Sequence, residues 1–273
     1  MSAYAPFTTP DAAAWIAEPS ASDDKYSRGV LGVATGSDRY PGAAVLGVEA
    51  ALRTGVGMVR YVGPSRATDL VLARRPEAVP GRGRVQAWLI GSGMDAADRD
   101  DALLTALASE GVPVVLDGGA LELARHASGP TVLTPHYREL ARLLGADAAG
   151  IAADPAAWAA RASQELGATV LLKGATTYVH AARADGPAYA VTCAPAWLAT
   201  AGAGDALGGV LGALVATHAR EIAEDPDALA ALAASAAVLH GDAATRASAG
   251  GPFTILDLCD HLPGVVRDVL SRR

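Results

Sequence analysis

The chain has 273 residues, of which 51% are hydrophobic and only 5% aromatic, with a formal net charge of −7. That length supports a substantial aliphatic, alanine-rich core, arranged as one large α/β domain or two small ones. The acidic balance, with no basic cluster, argues against nucleic-acid binding through a charged face, so a phosphate ligand would need main-chain amides, one or two cations or a metal ion.

Cys193 and Cys259 are too few and too far apart for a disulfide framework or a zinc site, and read as reduced core thiols. The first twenty residues lack the basic start and continuous apolar core of a signal peptide. No apolar run reads as a membrane span, and the alanine-rich stretch 227–244, interrupted by Ser235, His240 and Asp242, reads as a packed helix. The expectation is a soluble, cytoplasmic protein.

Short β-branched runs at 30–35, 57–62, 87–90, 113–116, 131–133, 169–172 and 189–192 read as strands. Helical patterns lie between them at 43–53, 67–73, 100–109, 137–144 and 156–166. This alternation predicts a single α/β domain over residues 1–273, with a mostly parallel sheet covered by helices on both faces. In such sheets ligands bind at the carboxyl ends of the strands. Those ends lead into GSDRYPGAA, GSGMD, DGGAL, TPHYREL and KGATT, whereas the turns near Gly111 and Gly167 at the other edge are bland.

Three stretches carry chemistry. In TPHYREL, Thr134 is expected to cap a helix, Pro135 to occupy its first position, and His136 to lie in the first turn facing the cleft. An exposed histidine without a role is the equal alternative there. Lys173 is one of only two lysines, with Lys25, in a chain rich in arginine and devoid of asparagine. It ends a strand beside Gly174, which suits a nucleotide's phosphate or ribose; a snorkelling surface lysine is the plain alternative. Finally, ATAGAGDALGGVLGALV (199–215) runs from the turn Gly202-Ala203-Gly204 into Asp205 and an apolar stripe of Leu207, Val210, Leu211 and Leu214. The glycine turn at a helix N-terminus makes a ready anion site with a carboxylate beside it; the plain alternative is Asp205 as an N-cap. Gly208, Gly209 and Gly212 in that helix imply close packing against another backbone or a ligand.

Taken together, KYSRGVLGVATGSDRYPGAA, AALRTGVGMVR, RRPEAV, IGSGM, VLDGGAL, VLTPHYREL, LLKGATT and LATAGAGDALGGVLGAL occur in an order that resembles the nucleotide-dependent NAD(P)H-hydrate dehydratases of the ribokinase-like superfamily. The resemblance runs from Lys25 to the C-terminus. It implies a repair reaction in which (6S)-NAD(P)H hydrate is phosphorylated on its C6 hydroxyl by ADP or ATP, with Mg²⁺, and phosphate is then eliminated. Carried over by position, Asp205 is the catalytic base, and Gly202, Ala203 and Gly204 form the anion hole. Lys173, Gly174, Ala175, Thr176, Thr177 and Gly204 contact the adenine nucleotide. Ala43, Gly93, His136 and Asp205 contact the hydrated dinucleotide. No protein metal ligand is assigned; Glu139 is the nearest candidate.

The resemblance also implies a homo-oligomer and a separate epimerase acting in the same pathway, with no epimerase domain on this chain. Three departures stand out. Gly119 replaces the second acid of the usual VLDADAL, Tyr137-Arg138 replaces a Pro-Gly, and the N-x-x-E motif of the sugar kinases is absent. Two other functions share the same features: a ribokinase-like kinase acting on a vitamin precursor or sugar, and a nucleotide-binding regulator that has lost catalysis.

Overall fold

The computed structural model describes residues 4–94 and 99–273. Asp95, the last residue of GSGMD, lies outside the described residues. The strands are β1 (Ala5–Pro6), β2 (Val30–Ala34), β3 (Met58–Tyr61), β4 (Val79–Pro80), β5 (Ala87–Ile90), β6 (Val114–Leu116), β7 (Thr131–Leu133), β8 (Thr169–Leu172), β9 (Thr177–His180) and β10 (Ala188–Val191). They form one sheet in the order β1-β10-β9-β8-β7-β6-β5-β2-β3-β4. Every pairing is parallel except those of β9, which runs antiparallel to both β8 and β10.

The helices are α1 (Thr9–Ala13), α2 (Pro41–Thr54), α3 (Ser65–Arg74), α4 (Asp101–Ala108), α5 (Tyr137–Leu144), α6 (Ala148–Ala153), α7 (Pro155–Leu166), α8 (Ala203–Thr217), α9 (Ala219–Glu224), α10 (Ala228–Ser248) and α11 (Ile255–Leu270). The strict alternation of side chains along the strands divides the core in two. Leu31, Val33, Leu89, Val115, Val132 and Leu171 face the layer that contains α2, α8, α10 and α11. Val30, Trp88, Ile90, Val114, Leu133 and Val170 face the layer built on α4, α5, α6 and α7. Apolar residues on both faces explain why these strands read as continuous hydrophobic runs.

The expected elements are recovered, and β5, β7, β8 and α5 have the expected bounds. The expectation that no apolar run could span a membrane is corrected in one respect. Helix α10 is long and apolar enough by length and composition, with mean hydropathy 1.3, but 89% of that window is buried inside the fold. It is a core helix.

Strand β5 follows β3 and β4 in sequence yet pairs on the far side of β2, so the order of the sheet reverses between β2 and β5. Beyond their carboxyl ends the Gly36 N–H donates to the Ser92 carbonyl at 2.7 Å, tying the two loops together. Such a reversal opens a crevice where ligands bind. Helix α8 packs over it against β2, β5 and β6, and its first turn comes beside Lys173, the residue that follows β8.

Candidate active site

Helix α8 begins at Gly202, whose φ of 92° lies in the left-handed region that favours glycine. A side chain there would also run into Leu46 and Ile255. Gly202 supplies no side-chain cap; the Ala203 N–H donates to the Thr200 carbonyl at 3.4 Å, and the Gly204 N–H that follows has no partner among the described residues, so it is open to an anion. The glycines within α8 explain its closeness to its neighbours. A Cβ on Gly209 would overlap the Gly47 carbonyl of α2, and one on Gly212 would lie 2.9 Å from Leu31. One on Gly208 would lie 3.2 Å from Leu89. Bulkier residues would lift the helix, and its N-terminus with it, away from the crevice.

Four charged side chains meet in front of that N-terminus. The Lys173 ammonium donates to Asp117 Oδ1 at 2.8 Å and lies 3.7 Å from Glu139 Oε2. A Cβ built on Gly204 would be 3.4 Å from Lys173 Nζ, so the ammonium stands over the first turn of α8. Burial alone would push the Lys173 ammonium down, but Asp117, Glu139 and Asp205 hold it above the usual lysine range. Burial alone would likewise push Asp117 up. The Lys173 charge, with hydrogen bonds from Thr134 Oγ1 at 2.7 Å and Ser92 Oγ at 2.9 Å, holds it below the usual carboxylate range.

Asp205 differs from Asp117. Burial and the nearby Asp117 charge raise it to about 6, with Lys173 pulling the other way. This corrects a simple helix-dipole argument, by which a carboxylate beside an α-helix N-terminus is held as the anion. Desolvation and a like charge outweigh the dipole here. Beside Glu139, the cluster therefore pairs an ammonium and a carboxylate that hold each other ionised with a second carboxylate, Asp205, raised to about 6.

A cavity of about 890 Å³ extends from this cluster. Lys173, Gly174, Ala175, Thr177, Ala203 and Gly204 all line it. Thr176 does not; its hydroxyl is hydrogen-bonded to Thr192 at 3.1 Å. Ala43 and Gly93 meet each other across the crevice: Gly93 has φ 67°, and a Cβ there would overlap Ala43 Cβ. His136 lines both the large cavity and a second one of about 530 Å³.

The local structure around His136 differs from the expected helix start. Thr134 does not cap α5, because its hydroxyl is turned to Asp117. His136 is itself the N-cap, its Nδ1 accepting from the Arg138 and Glu139 N–H groups at 3.1 and 3.2 Å. The Glu139 carboxylate completes the box by accepting from the His136 N–H at 2.8 Å. The Pro135 carbonyl accepts from the Lys173 N–H at 2.9 Å, which links the end of β7 to that of β8.

The departures from the family pattern also find places. A Cβ on Gly119 would sit 2.5 Å from the Met94 carbonyl oxygen, so the acidic residue usual there cannot fit without moving the loop after β5. The Tyr137 hydroxyl lies against Gly174, where a Cβ would overlap it. Arg138 is exposed on the wall of the smaller cavity.

Asp117, Ser92 and Thr134 were not among the expected site residues, although VLDGGAL places a carboxylate directly at the end of a buried strand. His240 was also missed: it lines the large cavity, is 5% exposed, and is pushed down to about 4 by burial. Its signal was weaker, a histidine inside an otherwise apolar helix.

The family model for NAD(P)H-hydrate dehydratase matches residues 31–260. The chain is 41% identical over 223 residues to the bifunctional NAD(P)H-hydrate repair enzyme Nnr of Mycobacterium tuberculosis, covering 77% of this chain and 46% of that protein. It thus spans about half the length of that relative. It is 37% identical over 213 residues to the ADP-dependent (S)-NAD(P)H-hydrate dehydratase of Neisseria meningitidis, covering 70% and 71%. Among solved structures it is similar to an ADP/ATP-dependent NAD(P)H-hydrate dehydratase from Bacillus subtilis co-crystallized with ATP and Mg²⁺, with TM-score 0.87 and 26% identity over 98% of this chain and all of the other. A ribokinase-like superfamily protein from Enterococcus faecalis shares the fold, with TM-score 0.83 and 21% identity over 97% of this chain and 96% of the other. On its sequence, its sheet order and the geometry of its strand-end crevice, this chain belongs to the NAD(P)H-hydrate dehydratase family.

Proposed function

We propose that this chain restores NAD(P)H from (6S)-NAD(P)H hydrate, using ADP or ATP as phosphoryl donor. The observation that carries this reading is the position of the Lys173 ammonium over the first turn of α8, with Asp205 poised near pKa 6 beside it. Open main-chain amides and a fixed cation suit the charge of a transferring phosphoryl group. A half-buried carboxylate that ionises near neutrality suits removal of a proton from the attacking hydroxyl.

In this reading the donor occupies the large cavity, its phosphates held by Lys173 and the Gly204 amide at the turn that Gly202 and Ala203 shape. Gly174, Ala175 and Thr177 contact the rest of the nucleotide; Thr176 supports the loop through Thr192. Ala43, Gly93 and His136 position the hydrated ring so that its C6 hydroxyl faces Asp205. As the hydroxyl oxygen bonds to phosphorus, Asp205 takes its proton and the nucleotide leaves shortened by one phosphate. The nitrogen lone pair of the ring then expels phosphate from C6, and loss of the C5 proton restores the C5–C6 double bond.

Among the described residues no group of three or more His, Cys, Asp and Glu side chains forms a metal cage. Asp117 is committed to Lys173, Thr134 and Ser92. Mg²⁺ therefore fits as part of the nucleotide complex, held mainly by phosphate oxygens and water, with Glu139 the nearest protein carboxylate. It would neutralise phosphate charge there. We further propose that the single sheet forms one dehydratase unit, working as a homo-oligomer and supplied with the correct hydrate epimer by a separate epimerase activity.

The test is incubation of chemically hydrated NADH or NADPH with ADP or ATP and Mg²⁺, following the absorbance of the reduced ring. Its return together with release of inorganic phosphate is the expected result. Accumulation of a stable phosphate ester, or no change, would remove the dehydratase reading.

A further inference from the structure

His136 lies in the wall of both the large cavity and a smaller one of about 530 Å³. Its wall includes Arg99, Arg138 and Arg142 together with Gly118, Glu122 and His136. Arg99 is already engaged by Asp101 and the Gly119 carbonyl. Arg138 and Arg142 are not: both are exposed, and neither guanidinium has a hydrogen bond or ion pair to another described residue. They lie four residues apart on α5, one turn above the other, where two like charges repel. The wall also carries Glu122 and Glu139, yet among the described residues neither carboxylate pairs with these two guanidiniums.

If the donor fills the large cavity, the hydrated ring lies between Asp205 and His136. The rest of the dinucleotide must then extend past His136, the residue whose side chain also lines the second cavity. We propose that this cavity binds the phosphate-bearing half of the dinucleotide, with Arg138 and Arg142 on its pyrophosphate; the assignment rests on the dehydratase reading above. Two guanidiniums one turn apart suit two linked phosphates, each able to receive a forked pair of N–H donors. Glu122 on the same wall suits a ribose hydroxyl and disfavours a further phosphate beside it. Arg138 occupies a position where the family pattern has the glycine of Pro-Gly, so this subsite is a feature of the present sequence.

The experiment is calorimetric titration of intact NADH and NADPH into the wild-type chain and into Arg138→Ala, Arg142→Ala and the double variant. Arg220→Ala, whose side chain is 90% exposed, controls for loss of one positive charge. Affinity should fall about tenfold in each single variant and further in the double one, with little change in the control. The KM for ADP or ATP in the repair assay should be unaltered. An equal fall for NADH and NADPH places the arginines on the pyrophosphate, as proposed. A fall confined to NADPH would overturn that assignment in favour of the 2′-phosphate. Unchanged dinucleotide affinity, or a matching rise in the donor KM, would overturn the subsite altogether. Binding does not require turnover, so a chain that held dinucleotides through these arginines but repaired no hydrate would remove the dehydratase reading and keep the site.

Discussion

Asp117 and Asp205 are two carboxylates facing the same ammonium with opposite outcomes. Asp117 receives Lys173 at 2.8 Å and two hydroxyl donors, and lies below the usual carboxylate range. Asp205 receives none of these, feels the Asp117 charge, and rises to about 6. Two like groups whose surroundings drive their pKa values apart form the pattern of a fixed counter-charge and a working base.

Activity should therefore depend on Asp205 being ionised. The rate at low substrate should fall about tenfold per pH unit below about pH 6 and level off above it. Asp205→Asn should lose at least nine-tenths of turnover while still binding nucleotide. Retention of more than that residue of activity would remove the base assignment.

The same substitution should stabilise the fold. Asp205 titrates near 3.8 when unfolded and about 6 when folded, so its stability contribution is full below about pH 4 and is lost as pH rises through 6. At pH 8 the ionised form costs roughly 3 kcal/mol, before discounting for its partial exposure. Asp205→Asn removes that cost, and its Tm at pH 8 should exceed the wild-type value by at least about 2 °C. A lower Tm would show that the carboxylate is stabilising after all.

Lys173→Ala should weaken ADP or ATP binding by about 1.5–3 kcal/mol, the range for hydrogen bonds to charged groups. It should also move the pH–rate profile of any remaining activity upward, because Lys173 is the group that lowers Asp205. Calorimetry and a pH profile both unchanged would make Lys173 a structural residue.

Glu49 is fully buried and gathers Arg53 at 2.6 Å, Arg74 at 3.1 Å and Arg75. Burial opposes its ionisation, but the three guanidiniums bring it from 4.5 down to about 2. Its contribution is therefore present above about pH 4.5 and lost as pH falls towards 2, amounting to roughly 2–3 kcal/mol after screening of the partly exposed arginines. Glu49→Gln should lower stability at pH 7 by about 3–5 kcal/mol, because three cations lose their shared partner. Denaturant unfolding at pH 7 and pH 3 checks both, since the difference between variant and wild type should shrink in acid.

Gly119→Asp restores the acid usual in the family and should destabilise the protein by about 1–3 kcal/mol without raising activity. The new Cβ meets the Met94 carbonyl oxygen at 2.5 Å, so the loop after β5 must shift. A more active variant would show that the loop yields readily and that the missing acid matters.

The sequence by itself determined seven of the ten strands, including the parallel centre of the sheet, since β-branched runs bounded by glycine turns leave few alternatives once helical patterns separate them; the two-residue edge strands β1 and β4 carry too little pattern to read. The glycine turn at the start of α8, with Asp205 in its first turn, was legible as well, because Gly202, Ala203, Gly204 and Asp205 are consecutive in the chain and their relationship is local. It left β9 unseen, although Thr177, Tyr178 and Val179 carried the β-branched and aromatic signal, because the loop reading of KGATT ran into it. What only the tertiary structure decided were relationships between residues far apart in sequence. Asp117 and Lys173 are 56 positions apart, and nothing local tells that one neutralises the other. The protonation of Asp205 depends on that pair and on burial, both set by how β6, β8 and α8 converge. The sequence also placed Thr134 as a helix cap, a local role it loses to Asp117 on the neighbouring strand. Local patterns encode which atoms are offered; electrostatic balance depends on distance through space, which the packing of the sheet alone supplies.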